Sequence, residues 1–228
     1  MKSKFLKFFA SAALLFCSVF WIGGCMQMKS EDFEFTLLED GTYCLTEVKK
    51  TSLTKVVVPE KYDEVSVTAI SEKAFLFCYG LKTLTIPDTV TKIEEDAFFD
   101  CSELENVTVP AFACEYLPKG SLKTLVITSG EIPSSAFHYC ENLTTVTIGN
   151  SVTSIGNYAF QYCEKLTTVT IGNSVTSIGS QAFNSCENLS NIQYAGTMAE
   201  WRKVKTEYSW AGYIKATYVK CTDGQVQI

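Results

Sequence analysis

Ten cysteines and a single histidine are the side chains with the widest chemical range in this 228-residue chain. A thiolate attacks carbonyls, binds soft metals, forms disulfides or takes up a lipid, so the spacing of the cysteines decides which chemistry is open. Five of them, Cys78, Cys101, Cys140, Cys163 and Cys186, close the same phrase, as in Ala159-Phe160-Gln161-Tyr162-Cys163. One thiol per phrase lacks the CxxC pairing of a zinc site. His138 sits in a slot filled elsewhere by Leu76, Phe99, Gln161 and Asn184, so no shared Cys/His chemistry follows. Gly-rich phosphate loops and serine elbows are also missing. The expectation is a non-enzymatic chain with no catalytic residue, no metal and no cofactor.

Cys25 is different. Lys2, Lys4 and Lys7 precede an apolar run over residues 8–22, which leads into Ile22-Gly23-Gly24-Cys25. That order matches a positively charged start, a hydrophobic stretch and a small-residue cleavage site. The run is 15 residues, shorter than the roughly 20 a helix needs to cross a bilayer. The segment resembles the bacterial lipobox, which implies cleavage before Cys25, lipidation of its sulfur and a membrane anchor. Residues 1–24 are then a signal peptide and 25–33 a lipid-anchored linker. Losing three lysines and no acids takes the formal charge from −6 to −9, a balance that disfavours nucleic acid.

The elements that position the five repeated cysteines are set by a repeat. Residues 145–154 and 168–177 carry the same ten letters, TVTIGNSVTS, 23 positions apart. The same frame extends through the five cysteine phrases, except that Cys101 and Cys140 lie 39 apart, seven short of two periods. One coil there is abbreviated, and Val109-Pro110-Ala111-Phe112-Ala113-Cys114 replaces its usual turn. In Leu143-Thr144-Thr145-Val146-Thr147-Ile148, alternation puts Val146 and Ile148 on one face and Thr145 and Thr147 on the other, a half-buried strand. Ala159, Phe160 and Cys163 share a face if their phrase makes a short helical turn. No coil buries these residues alone, so the coils must stack. The predicted fold is an α/β solenoid over residues 53–194, with a parallel ladder of about seven coils and short helical turns. Stacking points successive cysteine Cβ atoms the same way, which favours buried free thiols over disulfides. Cys44, Cys114 and Cys221 lie off the ladder, and pairing among them is open.

Bare ladder ends invite pairing with other chains, and the sequence supplies caps. Residues 34–47 alternate around Asp40-Gly41 as a hairpin, within an N-terminal cap over 34–52. In a C-terminal cap over 195–228, Thr197 can start a short helix reaching Val204, residues 213–220 read as a last strand, and Trp201 and Trp210 cover the coil end. Glu94, Glu95 and Asp96 form an acidic cluster that reads as a solvated face.

The unit LxxVxI(G/P)xxVxxIxxxAFxxC is similar to the BspA-type leucine-rich repeat of bacterial and protist surface proteins, across residues 53–194. The resemblance implies surface display and adhesion, and it brings no set of catalytic or ligand residues. The outward positions of the ladder, Thr83, Thr85, Thr108, Thr124, Thr145, Thr147, Thr168 and Thr170, offer a flat, neutral array for an extended peptide or glycan. The expected protein is a lipid-anchored, outward-facing surface lipoprotein that binds a protein or glycan. A periplasm-facing scaffold lipoprotein is the alternative.

Overall fold

The structure is a computed structural model that describes residues 30–228. The signal segment and Cys25 therefore lie outside the described residues. Within them, alternation of buried and outward residues builds one long ladder. Strands Lys55–Val57, Thr83–Thr85, Asn106–Val109, Thr124–Ile132, Thr145–Ile155, Thr168–Ile171, Asn191–Tyr194 and Tyr218–Cys221 run parallel in that order. The antiparallel strand Gly224–Gln227 closes the end. Each repeat keeps its register, with Val146 beside Val169 and Ile148 beside Ile171.

The chain is thus a solenoid of eight coils, numbered here one to eight by these strands. The sequence shows seven because coil eight lacks the Leu-x-x-Val-x-Ile phrase and fills the inner row with Val219 and Cys221. A second, shorter ladder lines another wall, pairing Ile70 with Ile93, and Ile155 with both Ile132 and Ile178. Between the walls the inward Val, Ile, Leu and Phe side chains are almost fully buried. Each such residue contributes about 1.5–3 kcal/mol on burial. The N-terminal end is covered by a hairpin of Phe33–Leu37 and Tyr43–Val48, whose second strand pairs with Val65–Ile70.

The cysteine phrase does not form the helical turn that its spacing suggests. In each regular coil the residues before Ala and before Cys take positive φ, as Tyr158 (57°) and Tyr162 (59°) do in coil five. Left-handed residues four apart are incompatible with a right-handed helix. Backbone bonds run between coils instead, from Phe137 N–H to Ala159 O at 2.7 Å and from Phe160 N–H to Ala182 O at 2.8 Å. The i, i+4 spacing does not require a helix, because two left-handed kinks also bring Ala, Phe and Cys to one side. Among the described residues the only α-helix is Met198–Trp201, and Ala111–Glu115 is a 3-10 turn.

The C-terminal cap is also a coil. Thr197 caps the helix with a reciprocal Glu200 bond, but the helix ends at Trp201, short of Val204. Residues 209–214 then repeat the kinked turn, with positive φ at Ser209 and Tyr213 and a bond from Phe183 N–H to Trp210 O. That turn delays the last strand to Tyr218. Trp201 is buried, and Trp210 packs edge-on against Phe183 at 6.2 Å.

Candidate binding faces

The eight threonines singled out from the sequence fall into two columns on the main ladder. Thr83, Asn106, Thr124, Thr145, Thr168 and Asn191 form one, and Thr85, Thr108, Val126, Thr147, Thr170 and Gln193 the other. Neighbours in a column are about 4.8 Å apart, the spacing of strands. All eight threonines are half-buried. Among the described residues, none of their hydroxyls bonds to another protein group, while other threonines of the same repeat are engaged. Thr144 Oγ1 donates to Lys123 O at 2.9 Å, Thr167 Oγ1 to Thr144 O at 3.1 Å and Thr176 Oγ1 to Thr153 O at 3.2 Å. The repeat therefore separates lacing threonines, one residue before or well after the strand, from threonines whose hydroxyls are free to meet a ligand. That distinction depends on which carbonyl each side chain can reach, and periodicity does not reveal it.

A shallow depression of about 230 Å³ lies beside this face, lined by Glu103, Glu105, Ser121, Lys123 and Asn142. Most of its polar groups are already engaged. Lys123 pairs with Glu105 at 3.1 Å, Ser121 Oγ donates to Ser102 O, and Asn142 Nδ2 donates to Gly120 O. It marks where the third coil is short.

The cysteines are free thiols and all are buried among the described residues. Burial pushes Cys101 and Cys114 up to about 12 and Cys78 and Cys140 to about 11. A hydrogen bond with Cys186, together with burial, pushes Cys163 up as well. Cys163 donates to Phe137 O and Cys186 to Phe160 O, each to the preceding coil. Thiolates are the nucleophilic and metal-binding form, so at neutral pH these groups act as small apolar fillers with a weak donor. Cys114, off the ladder as the sequence suggests, still lies fully in the core, delivered there by the 3-10 turn. His138 packs against Tyr139 and Tyr162, at 4.2 and 5.7 Å between rings, with Nε2 buried and unbonded. No group of three potential metal-binding side chains occurs among the described residues. Glu94 is held below the usual carboxylate range by bonds from Lys92 and from the Glu72 N–H, so that part of the acidic cluster is internally engaged.

Comparison with known proteins follows the same repeat. The sequence profile described as BspA type leucine rich repeat region matches six copies, over residues 41–128 and 130–206. A solved leucine rich cell surface protein from Faecalibacterium prausnitzii A2-165 is similar at 27% identity and a TM-score of 0.50, over 88% of this chain and 56% of that one. A leucine-rich repeat protein from Eubacterium ventriosum aligns at 21% identity and a TM-score of 0.55, over 83% of this chain and 52% of the other, a likeness of fold. The chain thus spans little more than half the length of either protein. Comparison with curated proteins gives no match.

Proposed function

The chain belongs to the BspA type leucine rich repeat family, and from that membership we propose that it is a lipid-anchored surface protein whose ladder face binds an extended protein or glycan chain. The observation that carries the reading is the set of eight in-register threonine hydroxyls with no protein partner. They present alternating donors and acceptors on a rigid frame, so a ligand chain meets them without first ordering them. The cell-surface description of the Faecalibacterium relative supports outward display. The order of charge, apolar run and Gly23-Gly24-Cys25 supports the anchor. Several acyl chains on Cys25, at about 0.8 kcal/mol per buried CH₂, would hold the protein at a membrane almost permanently.

Two experiments test this. Acyl labelling and membrane fractionation of wild type and Cys25→Ala address the anchor; continued labelling and fractionation of the variant would refute it. Binding to arrays of host proteins and glycans addresses the face. Replacing Thr145, Thr147, Thr168 and Thr170 with lysine should abolish saturable binding while the fold persists. Protease shaving of intact cells reads the sidedness: a protected solenoid argues for an inward-facing scaffold and against surface display.

A further inference from the structure

The kinked turns put a second row on the surface, opposite in character to the threonine face. The residue before the cysteine, or its counterpart in the cap, has positive φ in each regular coil: Phe77, Asp100, Tyr139, Tyr162, Ser185 and Tyr213. This conformation suits Gly, Asn and Asp, and bulky side chains rarely adopt it. Four of the six positions nonetheless carry an aromatic ring. Three of the rings stay largely exposed, Phe77 at 55%, Tyr139 at 59% and Tyr213 at 80%, and Tyr162 is half-buried. The core rings Phe75, Phe137, Phe160 and Phe183, two residues earlier in the phrase, already fill the interior. An aromatic in an unfavourable backbone state, kept at the surface in coil after coil, breaks the local rule. Such departures are characteristic of functional surfaces.

The charge beside this row defines the partner. Glu141, Glu164 and Glu187 follow the cysteines at the 23-residue period and are exposed, as is Asp100. Stacking places the three glutamates about 4.8 Å apart from coil to coil. Among the described residues none of them forms an ion pair; the pairs lie elsewhere. Two lysines beside the row donate to amides, Lys165 to Asn142 Oδ1 at 2.8 Å and Lys215 to Asn188 Oδ1 at 2.6 Å. Stacking therefore enforces a row of carboxylates with no ion-pair partner among the described residues. Tyr139 and Tyr162 lie parallel, 5° and 4.8 Å apart, and form a continuous aromatic step between two coils. Ammonium and guanidinium groups can bridge the phenol oxygens and the carboxylates.

We propose that this turn edge docks an extended polypeptide bearing lysine and arginine, independently of the threonine face. Fluorescence anisotropy of the full chain with a labelled octa-arginine peptide tests it, with a Gly/Ser octapeptide and a neutral oligosaccharide as competing probes. Tyr139→Ser with Tyr162→Ser should weaken the arginine peptide by about tenfold, a step equal to losing one good contact of this kind. Serine already occupies this slot as Ser185, so the variant should keep its thermal transition. Glu141→Gln, Glu164→Gln and Glu187→Gln, all at exposed positions, should weaken binding at least as much. Thr145→Ala with Thr168→Ala should change nothing, so failure here is separable from failure of the threonine-face reading. Three outcomes overturn the proposal: no binding by the wild type, equal binding of the neutral peptide or oligosaccharide, or tyrosine variants that bind like the wild type while the glutamine variants do not.

Discussion

Coils four to six and the short stretch around coil three are built from the same repeat and hold together differently. In the regular stretch identical residues stack on themselves. Phe137, Phe160 and Phe183 lie parallel within 6°, at 5.5 and 5.1 Å. Asn150 Oδ1 accepts from Asn173 N–H, and Asn157 Oδ1 from Ser180 N–H. Around coil three the stacking is interrupted. Phe98 leans on Phe75 at 45°, and the buried Phe137 ring receives Lys119 Nζ at 5.8 Å. Asp88 of coil two reaches past the short coil to accept from both Thr128 and Ser129 of coil four, at 2.6 and 2.7 Å. A regular coil is thus stabilised by its immediate neighbours, as in other solenoids. A shortened one requires contacts that jump across it.

Removing a stacked ring should separate the two regions most. Phe160 is fully buried between two parallel neighbours, so Phe160→Ala should cost about 4–5 kcal/mol. Phe98, with one tilted neighbour, should cost nearer 3 kcal/mol when replaced by Ala. Urea denaturation measures both, and equal losses would remove the energetic distinction between the regions.

Glycine substitutions come next. A Cβ on Gly172 would run into the backbone of Gly149 in the preceding coil, so Gly172→Ala should lose about 2–3 kcal/mol through overpacking. Gly130, in the irregular stretch, has φ of 90° but would only touch Ala111 Cβ at 3.4 Å. Gly130→Ala should lose about 1 kcal/mol, from backbone strain. A thermal melt that ranks them the other way would show that the regular coils have slack.

Asp88→Ala removes the carboxylate that spans the short coil. Because the site is exposed, the loss should be about 1 kcal/mol or less. Hydrogen exchange localises it: amides near Thr128 and Ser129 should exchange faster, with those of coil six unchanged.

The smallest effect at neutral pH comes from the thiols. A thiol whose folded value lies above its unfolded value near 9 stabilises fully below pH 9. That contribution is lost as pH rises from 9 toward the folded values of about 11 to 12. Stability should therefore be flat through neutrality and fall above pH 9. Cys101→Ala should flatten the fall in the short-coil region, and a thiol reagent should find these sulfurs only after unfolding. Rapid labelling of the native protein at neutral pH would contradict the packing.

Much of this was legible in the residues. Val146, Ile148 and Leu143 announce an inward row, and Gly149-Asn150 a turn, because side-chain alternation and turn chemistry are local. Cys163 reads as a core thiol because a phrase that buries Phe160 buries its neighbour across the turn. The closing turn was not legible. Ala159, Phe160 and Cys163 have helical spacing, and the left-handed kinks at Tyr158 and Tyr162 carry no glycine to signal them. The eighth coil was hidden for a related reason, since Trp210 takes the place of the usual alanine and Val219 and Cys221 replace the usual valine and isoleucine.

Of the threonine face, the sequence shows only that the side chains alternate outward. Which hydroxyls are free is settled by the distance to a carbonyl one coil away, as Thr144 and Thr145 show side by side. The period, the inner row and the buried thiols follow from the chain because each depends on residues within one coil. The kinked turns, the free hydroxyls and the aromatic edge exist only in the stack, because the hydrogen bonds and ring contacts that define them join residues about 23 positions apart.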